Sequence, residues 1–161
     1  MKLLILFLIL LASTVSKPTY ATNLEFEKSI TIGSGPKTVV EFTDPDCPYC
    51  RKASKYFEGR SDVTRHIFFY PLPMHPKAKE KIQYVLSQQD KAKAYHMMMS
   101  GTLDRRPNFE TNSRGIKLQE EQLEIAKKNN IDATPTFLIN GRVIEGFDLK
   151  KIEEALGPKK D

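Results

Sequence analysis

Cys47-Pro48-Tyr49-Cys50 is the run in this chain whose residue types and spacing most invite covalent chemistry, and it holds both of the cysteines. Three uses compete for such a pair. A structural cross-link would close a four-residue loop, worth only about 1.9 kcal/mol in the chain-entropy model before strain is subtracted. A metal site would need further ligands, and His66, His75 and His96 lack the close spacing that usually completes a zinc shell. Reversible thiol–disulfide chemistry fits the pair best, because two sulfurs three residues apart can form and break one bond.

That chemistry needs one sulfur to be a thiolate. Pro48 stands where a helix would begin, so Cys47 would face unpaired backbone N–H groups and the positive end of the helix dipole. At pH 7 an ordinary thiol is about 3% ionised, whereas one shifted to ~5 is almost wholly thiolate. Arg51 and Lys52 would favour the thiolate; Asp44 and Asp46 would oppose it, and the sequence leaves that balance open. Cys50 aligns with Ala53 and Phe57 on the helix face that turns inward. Cys47 is therefore expected to attack and Cys50 to resolve.

The elements that must position this pair follow from periodicity and breakers. Ser29 to Ile32 reads as a short strand closed by Gly33-Ser34-Gly35-Pro36, and Thr38 to Thr43 as a strand buried on most sides. Asp44-Pro45-Asp46 breaks it. Ala53, Tyr56 and Phe57 mark a helix that Gly59 ends. Val63 to Tyr70 is the next strand, stopped by Pro71-Leu72-Pro73. Two helices are expected over His75 to Gln89 (Ile82, Val85, Leu86 inward) and Asp90 to Ser100 (Ala92, Tyr95, Met98, Met99 inward). Met97-Met98-Met99 reads as core filling more readily than as a binding surface. Gly101 to Gly115 turns polar and reads as a loop, and Leu118 to Asn130 as a helix with Leu123 and Ala126 inward. Thr136 to Ile139 and Arg142 to Glu145 form a hairpin about Asn140-Gly141. Leu149, Ile152 and Leu156 mark a closing helix before Gly157-Pro158. The order is that of an α/β sheet with helices on its faces.

Composition narrows the class. The chain has 161 residues, 40% of them hydrophobic and 28% charged, which suits one folded domain and excludes a disordered or collagen-like chain. Two cysteines exclude a disulfide-rich scaffold, and a net charge of +5 is too small and scattered for a nucleic-acid footprint. Lys2, the apolar run Leu3 to Ala12 and Thr19-Tyr20-Ala21 have the layout of a secretory signal peptide over residues 1–21. The apolar run is about half the ~20 residues of a spanning helix, so cleavage is expected rather than a retained anchor, in a compartment where disulfides persist.

Thr38 to Cys50 (TVVEFTDPDCPYC) and the helix after it resemble the active-site strand, loop and helix of the thioredoxin superfamily. Ala133-Thr134-Pro135-Thr136 resembles its cis-proline loop. The stretch from His75-Pro76-Lys77-Ala78 to Asp90-Lys91-Ala92-Lys93-Ala94 resembles the helical insert of the bacterial periplasmic disulfide isomerases of the DsbC and DsbG group. The Thr43-Asp44 step and Thr134 before the proline point the same way. The resemblance covers about residues 37–156.

It implies an α/β, thioredoxin-like fold with a helical insertion between the central strand and the cis-proline strand. The expected organisation is a signal peptide (1–21), a short N-terminal segment with the first strand (22–36) and a catalytic domain (37–161) with its insert at 75–130. The implied activity is thiol:disulfide exchange, as a DsbC/DsbG-like reductase or isomerase. A DsbA-like oxidase is the alternative, and a chaperone or binding module with a non-catalytic cysteine pair is a third. Cys47 and Cys50 carry the chemistry, with Glu41, Pro48, Tyr49, Thr134 and Pro135 in support. Protein substrates with cysteines or disulfides and a membrane redox partner that resets the site are implied. No cofactor, metal or nucleic acid is implied, and no stable membrane insertion once the leader is cleaved. A periplasmic monomer is expected.

Three features depart from the group. Fewer than ten residues separate the expected cut from the first strand, which leaves no room there for the group's N-terminal dimerisation domain. Ser87 stands at what resembles a structural cysteine position of some relatives. Glu41 lies six residues before Cys47, where thioredoxins and DsbA-like oxidases place a buried acid. Glu41 is thus either an edge-strand surface residue or a desolvated carboxyl that relays a proton to or from Cys50.

Overall fold

The computed structural model describes residues 24–159; the expected leader lies outside them. After a 3-10 turn at Phe26–Lys28 come β1 (Ile30–Ile32), β2 (Lys37–Thr43), α1 (Pro48–Glu58) and β3 (Val63–Phe69). The insert follows as α2 (Ala78–Ser87), α3 (Lys91–Met99) and α4 (Ser113–Lys128). Then come β4 (Thr136–Ile139), β5 (Arg142–Glu145) and α5 (Leu149–Leu156). The strands form one sheet in the order β1-β3-β2-β4-β5. β2 runs parallel to β3 through the α1 crossover and antiparallel to β4, with Glu41 opposite Ile67 on one side and Phe137 on the other. The insert leaves the sheet from β3, the neighbour of central β2, and returns at β4.

Strand periodicity sorts the core between two faces. Val39, Val63, Phe137 and Ile139 pack with Ala53 and Phe57 of α1 and Ile152 and Leu156 of α5. Val40, Phe42 and Phe68 point the other way, onto Ile125 and Ala126 of α4. A third cluster joins Cys47, Cys50, Ile67 and Phe69 to Ile82, Val85 and Leu86 of α2 and to Tyr95 and Met98 of α3. The insert is therefore part of the wall behind the cysteines. At the hairpin, Asn140 and Gly141 both have positive φ (49° and 73°), the geometry of a type I′ turn.

Several expectations are corrected in detail. α2 begins at Ala78, because Leu72 to Lys77 form turns first. α4 begins at Ser113 rather than Leu118, since the Asn112 side chain accepts from Gly115 N and caps the helix five residues earlier. Gly115 suits that end, as a Cβ there would stand 2.1 Å from Ser87 Oγ where α2 and α4 cross. The buried face of α4 is Gln119, Gln122, Ile125 and Ala126, leaving Leu123 half-buried. Gln122 turns inward because its Oε1 accepts from Phe69 N (2.9 Å) and its Nε2 donates to Lys28 O (2.5 Å), satisfying backbone at the end of β3 and in the first turn. Finally, Ala92 is not a core residue: on α3 Ala94 is buried beside Tyr95, Met98 and Met99. Met97 is at the surface, so two of the three consecutive methionines fill core.

Candidate active site

Cys47 is the N-cap of α1 and Pro48 its first helical residue. A proline suits that place because its missing N–H would have had no partner within the helix. The N–H groups of Tyr49 and Cys50 in the first turn face the Cys47 sulfur. Its Sγ also lies 3.5 Å from the carbonyl oxygen of Thr134. The Thr134–Pro135 peptide bond is cis. The loop after α4 and the start of α1 thus meet at this sulfur. Both cysteines are free thiols.

The two sulfurs have opposite environments. Cys47 is held down to about 5, first by the hydrogen bond from the Cys50 thiol and then by the two backbone N–H groups, with partial burial working against them. Cys50 is pushed far up, chiefly by burial and then by the same bond to Cys47. The hydroxyls of Thr43 and Thr134 face Cys50, and Asp44 N donates to its Sγ at 3.4 Å; these offset only part of the rise. A proton between the two sulfurs therefore sits on Cys50. Tyr49, next to them, is well exposed and its ring lies 5.4 Å from Lys52 Nζ.

The balance of charges that the sequence left open can now be read. Arg51 does not face the cysteine with a free charge. Its Nε donates to Pro45 O (2.6 Å) and its Nη atoms form a two-pronged pair with Asp104 (2.6 and 2.8 Å). Asp46 pairs with Lys81 of α2. Asp44 is fully buried, and its carboxylate accepts from Asp46 N (2.7 Å) and Leu72 N (2.6 Å) and meets His75 Nδ1 at 3.0 Å. Asp44 therefore fastens the loop before Cys47 to the turn after β3.

Glu41 is on the central strand, between β3 and β4, and fully buried, so the edge-strand alternative falls away. Burial raises its pKa, and the guanidinium of Arg65 pulls it back. Glu41 Oε2 accepts from Arg65 Nη1 at 3.1 Å, while Oε1 has no hydrogen-bond partner among the described residues. Arg65 also reaches Tyr95 Oη (3.4 Å) and lies over the rings of Phe57 and Tyr95, 5.2 and 5.5 Å from their centres. The structure brings together Cys47, Cys50, Pro48 and Thr134. It gives Glu41 an arginine partner from the neighbouring strand, Arg65.

Arg65, Lys81, Tyr95 and Asp104 join the site through partners far along the chain. Arg65 had a signal: in the alternation Val63, Arg65, Ile67, Phe69 it falls on the inward face of β3. Asp104 had none, because its partners come from other elements.

A cis-proline loop against an N-capping cysteine, on a sheet with α1 and α5 on one face and α4 on the other, defines a thioredoxin-like protein. The profile of the thioredoxin-like domain matches residues 27–156, and the chain belongs to that family. A curated relative from Bordetella parapertussis, named "Probable thiol:disulfide interchange protein DsbC", is 26% identical over 127 residues, covering 77% of this chain. The chain spans 43% of the length of that relative. The crystal structure of a disulfide interchange protein from Neisseria gonorrhoeae superposes with a TM-score of 0.67 at 27% identity, covering 84% of this chain and all of the other. ScsC of Proteus mirabilis in a compact conformation shares the fold, with a TM-score of 0.62 at 23% identity over 80% of this chain and 71% of that one.

Proposed function

We propose that this chain is a periplasmic thiol:disulfide oxidoreductase acting on protein substrates, in the manner of a DsbC/DsbG-like reductase or isomerase. The observation that carries the proposal is the placement of the two sulfurs, Cys47 at the N-cap of α1 against the cis Thr134–Pro135 loop and Cys50 wholly buried one turn on, which favours a thiolate at Cys47 and a thiol at Cys50. The relatives named DsbC support the direction of the reading, and the leader-like residues 1–21 support the compartment.

In the reductive direction the Cys47 thiolate attacks one sulfur of a client disulfide, forming a mixed disulfide and expelling the client's other sulfur as a thiolate. Cys50 then loses its proton and attacks the Cys47 sulfur. The client leaves as a dithiol and the protein keeps a Cys47–Cys50 disulfide, two electrons having passed to the client. Glu41 is the proposed acceptor of the Cys50 proton. Pro135 and the Thr134 carbonyl offer backbone beside the sulfur for an extended client segment to pair with. A membrane redox partner would return the site to its starting state.

Cys50→Ala is the test. It should accumulate mixed disulfides with clients, while Cys47→Ala stays inert; equal trapping by the two would refute the assignment. A DsbA-like oxidase is the second reading, favoured by the low Cys47 pKa, since a stabilised thiolate makes the disulfide the stronger oxidant. The reduction potential separates the two. Because an isomerase must hold its client while bonds are remade, a monomeric catalytic domain should reduce insulin yet recover scrambled ribonuclease poorly.

A further inference from the structure

We propose that Asp104, in the loop after α3, is a positioning residue for the cysteine pair: it locks Arg51 and Lys81 into a neutral four-member ion cluster beside the active-site loop, so that the helical insert sets the charge Cys47 meets. The proposal rests on the reading of Cys47 as the attacking thiolate.

The cluster joins three segments that are distant in sequence. Asp104 accepts from both Nη atoms of Arg51, and its Oδ1 also accepts from Lys81 Nζ at 2.7 Å. Lys81 donates in turn to Asp46 Oδ1 at 2.5 Å, and Arg51 Nη2 lies 3.5 Å from the same oxygen. Two cations and two anions cancel. Lys81 is buried, with 4% of its surface exposed, so its charge requires these partners. The loop is shaped for the pair. Asp104 N donates to Gly101 O (3.0 Å), and Gly101 has φ +82°. A Cβ at Gly101 would stand 3.1 Å from Asp104 Oδ2 and 3.3 Å from Arg51 Nη1.

Other charged groups on the elements beside the cysteines are also held, Glu41 by Arg65 within the sheet. Asp44 is fastened to His75 and to backbone, Lys52 lies over the Tyr49 ring, and the cis-proline loop presents the uncharged Thr134. What remains adjustable is the sum over Asp46, Arg51, Lys81 and Asp104. Removing one carboxylate leaves an excess cation near the start of α1, and removing one cation leaves an excess anion.

The test is the ionisation of Cys47 in the reduced full-length protein, followed by thiolate absorbance near 240 nm, in Asp104→Asn, Lys81→Gln and the double variant. Asp104→Asn should lower the Cys47 midpoint by about half a pH unit and Lys81→Gln should raise it by a similar amount. Both shifts should shrink in 1 M salt. The double variant restores neutrality and should titrate within about 0.2 unit of the parent. If Lys81→Gln does not fold, Arg51→Gln, on the more exposed cation, carries the same sign. Midpoints that stay fixed, shift in one direction for both charges, or fail to return in the double variant would overturn the proposal. Insulin reduction by the parent protein is measured beside the titration. Its absence would count against the exchange reading, whereas the titration alone decides the cluster.

Discussion

Two charge clusters flank the cysteine helix, and they are built on opposite terms. The inner one, Glu41 with Arg65 and Tyr95, is dry: all three side chains are almost wholly buried, and the guanidinium lies against two aromatic rings. The outer one, Asp46, Arg51, Lys81 and Asp104, meets water at three of its four members. In the inner cluster each charge exists because its partner does, so removing one leaves the other stranded in low dielectric. In the outer cluster water and salt can stand in for a lost partner at Asp46, Arg51 and Asp104, and the buried Lys81 keeps one carboxylate when the other is removed. The inner pair should therefore govern folding and the Cys50 proton, and the outer group should tune Cys47 with little effect on stability.

The largest effect should come from breaking the inner pair on one side. Arg65→Met strands the Glu41 carboxyl, and a loss of about 3–5 kcal/mol in denaturant unfolding is expected. The double variant Glu41→Gln with Arg65→Met should recover most of it; no recovery would mean that Arg65 matters only as packing against the rings. Next, Glu41→Gln should slow resolution of the mixed disulfide at neutral pH, on the order of 100-fold if the carboxyl accepts the Cys50 proton. Stopped-flow exchange across pH 6–8 reads this directly, and unchanged rates would leave Glu41 a structural partner of Arg65.

Smaller effects are expected outside. Tyr95→Phe removes the hydroxyl that Arg65 reaches, and about 1 kcal/mol of stability should go with it. Asp104→Asn should cost less than about 1 kcal/mol, since the carboxylate is more than a third exposed and its ion pairs are screened. Its sign with pH is fixed. The Arg51 hydrogen bonds, and Lys81 after them, hold the Asp104 carboxyl well below the usual carboxylate range. Its contribution is thus complete above the unfolded value near 4 and fades as the pH falls below it. Parent and variant melting curves should converge in acid. Curves that stay equally far apart would assign the cost to something other than ionisation.

The sequence made the sheet, the helix after the cysteines and the hairpin legible because each is local. Pro48 marks a helix start, Asn140-Gly141 accepts positive φ at both positions, and Val39 to Phe42 admit no exposed face. The direction of Cys50 also followed from its spacing to Ala53 and Phe57. What escaped depends on partners far along the chain. Gln122 turns inward to serve the end of β3, 53 residues away, which no helical period announces. Asn112 caps α4 inside a stretch whose polarity reads as loop, and it also binds the backbone carbonyl of Ser87 (3.1 Å), tying the end of α2 to the start of α4. Glu41 was placed by its distance from Cys47, yet its burial is set by the strands on either side, and its charge by an arginine 24 residues on.

The central claim is that the two thiols of one helical turn, both buried, differ in charge: Cys47 is the thiolate and Cys50 keeps its proton. Differential alkylation tests it most directly: the reduced protein is treated with iodoacetamide at pH 6, quenched, and mapped by peptide mass. With a Cys47 midpoint of about 5 and a buried, raised Cys50, modification should fall on Cys47 within the time an ordinary thiol of pKa ~8.5 stays almost unreacted, and Cys50 should remain free. Modification of Cys50 first, or of both cysteines at the slow rate of ordinary thiols, would contradict the account.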